Sequence, residues 1–404
     1  MGTPTTAPVR WDEDFIQDPY SLYRRLRDEA PVRQAIMPRG LKVWLVTRYA
    51  DAREALADPA LHKDMRQVNE LFRRHSTLEG QTELFGQDLA SHMLNSDPPD
   101  HTRLRKLVAK AFTMRRVELM RPRIAEITDD LLAGLAGQHE VDLVDSFAFP
   151  LPVTVICELL GVPHADRDDF REWSNTLLSA DVIESVQSAA RSMAAYLSRL
   201  VGGKRDNPAD DMLTALVQAS EDGDRLNEAE LVSMAFLLLV AGHETTVNLI
   251  ANGMLALLRN PDQLAALRAD PALLPGAVEE FLRYESPVSH ATLRYTTAPV
   301  TLAGVEIPAD EFVLISLGAA NRDGDRFADP DRLDISRAAG GHLAFGHGIH
   351  FCLGAPLARL EGQIAIGRLI DRFPGLGLAA DPGELRWRNS TLLRGLESLP
   401  VRLR

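Results

Sequence analysis

Residues 230–258 set the tightest limit on what this chain can become. Residues 231–241 are almost wholly apolar, the string Gly242-His243-Glu244-Thr245-Thr246 interrupts them, and apolar residues then resume. At 1.5 Å rise per residue the stretch makes one helix roughly 40 Å long, enough to cross a whole domain. A membrane span is one alternative, and the polar block at its centre argues against it. A core helix with an incidental polar patch is the other. Buried polar groups must be satisfied, so a glycine, an acid and two hydroxyls in mid-helix need a chemical reason.

The rest of the pattern is helix-rich with a few short strands. Residues 43–47 (VWLVT) predict a strand and 51–57 a short helix. Residues 61–95 are polar and irregular, a long loop of the kind that is usually functional or disordered. Helical patterns dominate from 101 to about 282. Strands are expected at 291–295, 300–307 and 311–317, with Ala303-Gly304 and Pro308 as breakers. Strands and helices do not alternate regularly, which argues against a doubly wound sheet. The expectation is one interlocked domain over residues 1–404, mainly α with a small β region.

Charge and cysteines narrow the partners. The net charge of -13 excludes a nucleic-acid binder, which needs a basic face. The two cysteines, Cys157 in an apolar run and Cys352 in a glycine-rich loop, give no disulfide framework and fit a reducing cytoplasm. The start, MGTPTTAPVRW, has no apolar leader or spanning helix, so neither secretion nor a membrane anchor is indicated. Its match to a myristoylation pattern at Gly2 and Thr6 is read as chance, and residues 1–10 as disordered.

Residues 345–354, FGHGIHFCLG, place Cys352 directly before a helical pattern at 355–370. A thiolate at a helix N-terminus faces the positive end of the dipole, and its pKa is expected to fall. Such a sulfur suits the proximal position of a haem iron. Gly346, Gly348 and Gly354 give the tight backbone that lets a flat macrocycle approach, and His350 is placed to reach a carboxylate at its edge. A dioxygen-activating haem also explains the polar block at 242–246. Gly242 then leaves room for the ligand, Thr245 hydrogen-bonds dioxygen and Glu244 relays protons. In DPPDHTRLRKLVAKAFT (97–113), His101 and Arg105 share one helix face suited to haem propionates. Arg103, Lys106 and Lys110 share roughly the opposite face, a basic patch for a redox partner. Glu280 and Arg283, at i, i+3 in AVEEFLRYESP, are by themselves a surface pair.

Together these strings resemble the cytochrome P-450 monooxygenases, and the motifs span residues 97–361 in that family's order. The resemblance implies the P-450 fold, a triangular prism of helices around a buried haem b. It makes Cys352 the axial ligand, with Phe345 in the ligand loop, and His101, Arg105, Arg294 and His350 the propionate contacts. It makes Glu244 and Thr245 the acid–alcohol pair that activates dioxygen, and Glu280, Arg283 and Arg332 (in DRFADPDRLD) a structural triad locking the cysteine loop. It implies electrons from a ferredoxin and its reductase, docking at Arg103, Lys106, Lys110 and Arg359. The segments SDPPDHTRLRKLVAKAFTMRRVEL, LLVAGHETTVNLIANGM and HLAFGHGIHFCLGAPLARLE look most like soluble actinobacterial members that oxidise macrolides and other macrocycles.

The implied activity is cytoplasmic hydroxylation of a large lipophilic natural product. Pocket candidates are Met93, Leu94, Val240, Ala241, Val288, Ser289, His290, Ala291, Leu392 and Leu393, beside an entrance at 61–95 and 175–190. The alternatives are a sterol or secosteroid, a cyclic peptide or a fatty acid on the same machinery. A haem sensor or electron carrier is a more distant one, since it needs Cys352 but not the polar distal block.

Overall fold

The computed structural model describes residues 7–38, 40–64, 68–77, 87–178, 183–221 and 224–404. The mainly helical architecture with a small β region is as expected. A six-stranded sheet uses β1 (Val9–Arg10), β2 (Val32–Ile36), β3 (Lys42–Val46), β4 (Leu61–His62), β5 (Arg294–Thr296) and β6 (Phe312–Ile315), in the order β1-β2-β3-β6-β5-β4. The central strand β6 pairs parallel with β3 (Val313↔Trp44) and antiparallel with β5 (Val313↔Arg294). All four of its residues are buried. Phe312 and Leu314 join one apolar cluster while Val313 and Ile315 join another, the period-two alternation of a strand covered on both faces. The hairpin of Val300–Leu302 and Val305–Ile307 turns on Ala303 (φ 50°) and Gly304 (φ 76°), two left-handed residues as a tight hairpin requires.

Two expectations along this region are corrected. Residues 9–10, expected to be disordered, pair with Ala35 and Ile36 at the sheet edge. The expected long loop at 61–95 contains, among the described residues, β4, a helix at Asn69–His75, a helical turn at Gln87–Ala90 and a 3₁₀ turn at Met93–Asn95. These pieces are too short for sequence periodicity to register.

The helices that build the site are α1 (Tyr49–Ala57), α2 (Asp100–Ala111), α3 (Arg121–Gly134), α4 (Pro150–Leu160), α5 (Arg167–Leu178), α6 (Ile183–Asp206), α7 (Glu228–Arg259), α8 (Leu274–Tyr284) and α9 (Ala355–Arg372). The 32-residue α7 is the long apolar stretch. A capping box starts it: the Asn227 side chain accepts from Glu230 N–H and the Glu230 side chain accepts from Asn227 N–H. It packs against α4, α6, α8 and α9. It is long and apolar enough to cross a membrane, but 72% of its apolar window is buried inside the protein, so it is a core helix.

Glu280 and Arg283 on α8 are not a surface pair. Both are fully buried, and Arg283 donates Nε to Glu280 Oε2 (2.7 Å) and Nη2 to Oε1 (2.8 Å). Its Nη1 donates to the carbonyls of Asn321 (2.9 Å) and Pro330 (2.8 Å). Buried Asn321 then accepts from Leu343 N–H (2.6 Å), on the approach to the cysteine loop. The expected third member, Arg332, is corrected. Its side chain is 68% exposed and pairs with Asp334, and only its carbonyl accepts from Arg283. The arginine that reaches Glu280 is Arg337, from Nε to Oε1 at 3.2 Å. A turn at 334–337 brings it inward, which no local pattern signals.

Breaking a buried ion pair by removing one partner typically costs about 3–5 kcal/mol. Arg283→Met is expected to destabilise by that amount in equilibrium denaturation. Arg337→Ala is expected to cost clearly more than Arg332→Ala, which should stay within about 0.5 kcal/mol of the parent.

Candidate active site

Cys352 lies just before α9. Its N–H donates to Phe345 O (2.9 Å), and its thiol accepts from the N–H groups of Gly354 and Ala355 at the helix start. The pKa nevertheless rises, against expectation. Burial raises it, and this outweighs the backbone donors and the distant charges of Arg105 and Arg359. By area the residue is exposed. Gly348 has a left-handed φ of 73°, and a Cβ there would lie 3.0 Å from Leu56 O at the end of α1. The close approach at Gly348 is to protein backbone.

The loop is clamped from both sides by Glu279, which the sequence analysis did not single out. Glu279 accepts two bonds from Arg359 (2.6 and 2.9 Å) and lies 3.2 Å from His342 Nε2. Burial alone would raise its pKa, but His342 and Arg359 hold it at about 2. Arg359 also sits 4.6 Å over the half-buried Phe345 ring. Arg359 is thus engaged inward, as is Arg103, which bonds Glu230 and Asp224. Both are corrected as members of a basic docking patch. Lys106 and Lys110 remain exposed on α2.

On the other side of α2 the structure gathers positive charge. His101 is buried, its ring 4.3 Å from that of His350, and neither ring nitrogen has a hydrogen-bond partner among the described residues. Arg294 on β5 donates to Ala55 O (3.1 Å) and Leu56 O (2.9 Å) at the end of α1, leaving Nε unpartnered among those residues. Arg105 donates Nη2 to Phe351 O (2.6 Å), next to the sulfur. Lys63 and His92, both missed from sequence, are buried in the same region. Burial and the neighbouring cations push His350 down to about 2, and burial with Lys63 pushes His92 down to about 4. Buried cations with unused donors fit the carboxylates of a haem edge, and Cys352 fits its iron. These residues were far apart in sequence, and only the β4–β5 pairing brings Lys63 to them.

The distal block of α7 divides by face. Ala241 is exposed, and half-buried Thr245, one turn on, donates Oγ1 to Ala241 O (2.9 Å). Gly242 points elsewhere: a Cβ there would lie 2.9 Å from Ile156 Cδ1 on α4. Its small size serves helix packing, which corrects the expectation that it makes room for a ligand. Glu244 is buried. Arg388 donates Nη1 to its Oε2 (3.0 Å), and His243 Nε2 lies 3.5 Å from its Oε1. Burial raises its pKa, yet His243 and Arg388 together bring it below the usual value. His243 in turn meets Ser174 Oγ on α5 (3.0 Å) and, through Nδ1–H, donates to Leu239 O (2.9 Å). Arg388 and Ser174 were not anticipated, because Arg388 reaches Glu244, and Ser174 reaches His243, from distant segments.

The pocket candidates lie on several segments. Val288 and Ser289 pair with Leu393 and Leu392 through a β-bridge and a Ser289 N–H to Leu392 O bond (2.8 Å). Val240 and Ala241 lie on α7, and Met93 and Leu94 sit in the 3₁₀ turn. Ala291 is half-buried and donates its N–H to Ile315 O (2.9 Å). His290 is corrected: it is buried against Trp11 and bonded to Tyr23 and Thr391, a core group. Of the expected entrance, residues 65–67, 78–86 and 179–182 lie outside the described residues.

A family model for Cytochrome P450 matches residues 174–376. The chain is 54% identical to the vitamin D(3) 25-hydroxylase of Pseudonocardia autotrophica, over 99% of this chain and 98% of that protein. It is 46% identical to the 6-deoxyerythronolide B hydroxylase of Saccharopolyspora erythraea, over 99% of each. The tirandamycin C-bound structure of the P450 monooxygenase TamI superposes with a TM-score of 0.92 at 54% identity, covering 98% of this chain and 100% of that one.

Adding a methyl group at a closed helix contact costs about 1–3 kcal/mol. Gly242→Ala is expected to lower thermal stability by that amount. Combining it with Ile156→Ala should recover part of the loss in a double-mutant cycle on melting temperature.

Proposed function

This chain belongs to the cytochrome P450 family of haem monooxygenases, and from that premise we propose that it inserts one atom of dioxygen into a C–H bond of a macrolide or kindred macrocycle. The observation that carries the reading is the pairing of a sulfur at the start of α9 with a cluster of basic side chains that keeps buried nitrogens of His92, His101 and Arg294 without hydrogen-bond partners among the described residues, together with an α7 face that bears Thr245. Cys352 would hold the haem iron, and His101, Arg105, Arg294 and His350 would meet its propionates; the group would supply the dioxygen chemistry, which a thiolate ligand favours. Without a Cys-x-x-Cys-His string the group is held without thioether links, as haem b.

The protein's own part lies on α7. Thr245 spends its proton on Ala241 O, so its oxygen is left to accept from, or orient, a neighbour in the open space. Arg388 holds Glu244 Oε2 in place. Glu244 Oε1, which makes no hydrogen bond among the described residues, is the atom that takes and passes a proton. The mostly apolar lining from Met93, Leu94, Val240, Val288, Leu392 and Leu393 suits a large lipophilic substrate with few polar anchors. The 6-deoxyerythronolide B hydroxylase and the tirandamycin-bound relative support a polyketide-sized ligand. The vitamin D(3) 25-hydroxylase, at 54% identity, favours a secosteroid as the second reading.

A ferredoxin with its reductase supplies the electrons in this reading. Lys106 and Lys110 on α2 are exposed, and Ile349 and Phe351 expose apolar surface on the cysteine loop, which together suit a small acidic partner. A cytoplasmic location agrees with two free cysteines.

Titration with a macrolide, a larger macrocyclic lactone, a cyclic peptide, a secosteroid and a long-chain fatty acid tests the substrate class. A low-to-high-spin shift of the haem band with macrocycles is expected, and a shift with the secosteroid alone would transfer the assignment to it. Thr245→Ala is expected to lower product formed per electron pair by about tenfold or more, with the missing electrons recovered as hydrogen peroxide. Unchanged coupling would remove Thr245 from the chemistry. Charge reversal at Lys106 and Lys110 should slow electron transfer from ferredoxin and weaken its salt dependence.

A further inference from the structure

Lys63 is the least expected member of the cation cluster. Strand β4 pairs antiparallel with β5 through Leu61↔Thr296 and His62↔Tyr295. Continuing that register by one residue sets Lys63 opposite Arg294. Two like charges directly opposed across a strand pair repel. Both are also out of water, Lys63 at 2% exposure and Arg294 at 4%. Lys63 is not free to swing away. Its own N–H and that of Asp64 both donate to the Asp97 carboxylate, and Asp97 O accepts from His101 N–H at the start of α2. One residue therefore fixes Lys63 and His101 together.

The ammonium carries three donors. Among the described residues it meets one acceptor, the neutral Thr292 hydroxyl. The nearby carboxylate, Asp97, is occupied by backbone donors and approached by His62 at 3.4 Å. Burial, with Arg294 beside it, brings the Lys63 pKa down to about 7, although Asp97 opposes this. A buried amine in that state takes up a proton, and is held as the ammonium, when a carboxylate arrives.

We propose that Lys63 binds a propionate carboxylate of the haem, as a contact additional to His101, Arg105, Arg294 and His350. The inference rests on the haem reading above. The ligand class is a carboxylate, and two sources exist, the porphyrin edge and a substrate acid. The porphyrin edge is favoured by neighbours. His350 lies two residues from Cys352, and Arg105 is bonded to the carbonyl next to the sulfur, so the cluster stands on the sulfur's side. The open face of α7 at Ala241 and Thr245 contributes nothing to it.

The test uses the holoenzyme with Lys63→Met and Lys63→Arg. Three readouts are independent of turnover: the rate of haem transfer to excess apomyoglobin, the propionate bending band in the resonance Raman spectrum, and the reduction potential. A charge-assisted hydrogen bond lost from a buried site corresponds to haem loss faster by on the order of tenfold. Lys63→Met is expected to show that increase, a displaced propionate band and a lower potential, since removing a positive charge favours ferric iron. Lys63→Arg should return most of each. Parent-like values for Lys63→Met in all three overturn the proposal. So does weakened binding of a long-chain fatty acid with haem retention and the band unchanged, which would assign Lys63 to substrate. If Lys63→Met does not fold, Thr292→Val carries the test, because it leaves the charge and removes the Lys63 anchor. The band should still move, and an unmoved band overturns the proposal. A parent protein that holds no haem would instead sink the reading of Cys352.

Discussion

The buried Glu280–Arg283 pair is the interaction on which the site depends. Two charges at zero exposure are tolerable only with near-complete hydrogen bonding. That requirement recruits carbonyls from Asn321, Pro330 and Arg332, the backbone of Asp334 and the side chain of Arg337. None of these belongs to regular structure, so an otherwise loose stretch becomes fixed against α8. Asn321 passes the constraint on to Leu343. The cysteine loop therefore begins from a fixed point although it contains little secondary structure of its own.

The same logic runs in the opposite direction at the cation cluster. Here the fold brings Lys63, His92, His101, Arg294 and His350 together without supplying enough acceptors. A stable protein carries such a debt only where a ligand settles it. The α1 carbonyls that bond Arg294 and the Asp97 clamp on Lys63 hold the cations in place rather than neutralise them. Preorganised charge of this kind gives affinity for a dianionic edge while costing stability in its absence.

Much of this was legible in the sequence, where the signal was local. The apolar run of α7, the hairpin at Ala303-Gly304 and the cysteine before α9 all follow from periodicity, turn chemistry and motif. What escaped was long-range. Arg337 rather than Arg332 meets Glu280 because a turn folds it back, and no spacing rule encodes that. Gly242 looked like room for a ligand because its neighbour in sequence is the polar block, whereas its neighbour in space is Ile156. Lys63 sits in a stretch without periodicity and acquires meaning only through pairing with β5. Arg388 reaches Glu244, and Ser174 reaches His243, from distant segments for the same reason. The thiol of Cys352 shows a different failure: the helix-dipole argument is correct in sign, but burial is the larger effect.

The bonds of Glu279 to His342 and Arg359 have a mechanical consequence. They form a yoke that encloses the cysteine loop between one residue before it and one residue on the helix after it. His342 and Arg359 hold the Glu279 pKa at about 2, so its carboxylate keeps its charge through the neutral range. Sulfur position then follows the relative placement of α8 and α9, two helices packed against α7, rather than the conformational freedom of the loop. In hydrogen exchange the loop amides should behave as part of the helical core, opening only when that core opens. Cys352 is thereby tied to the helical core, although it stands on a segment with little regular structure.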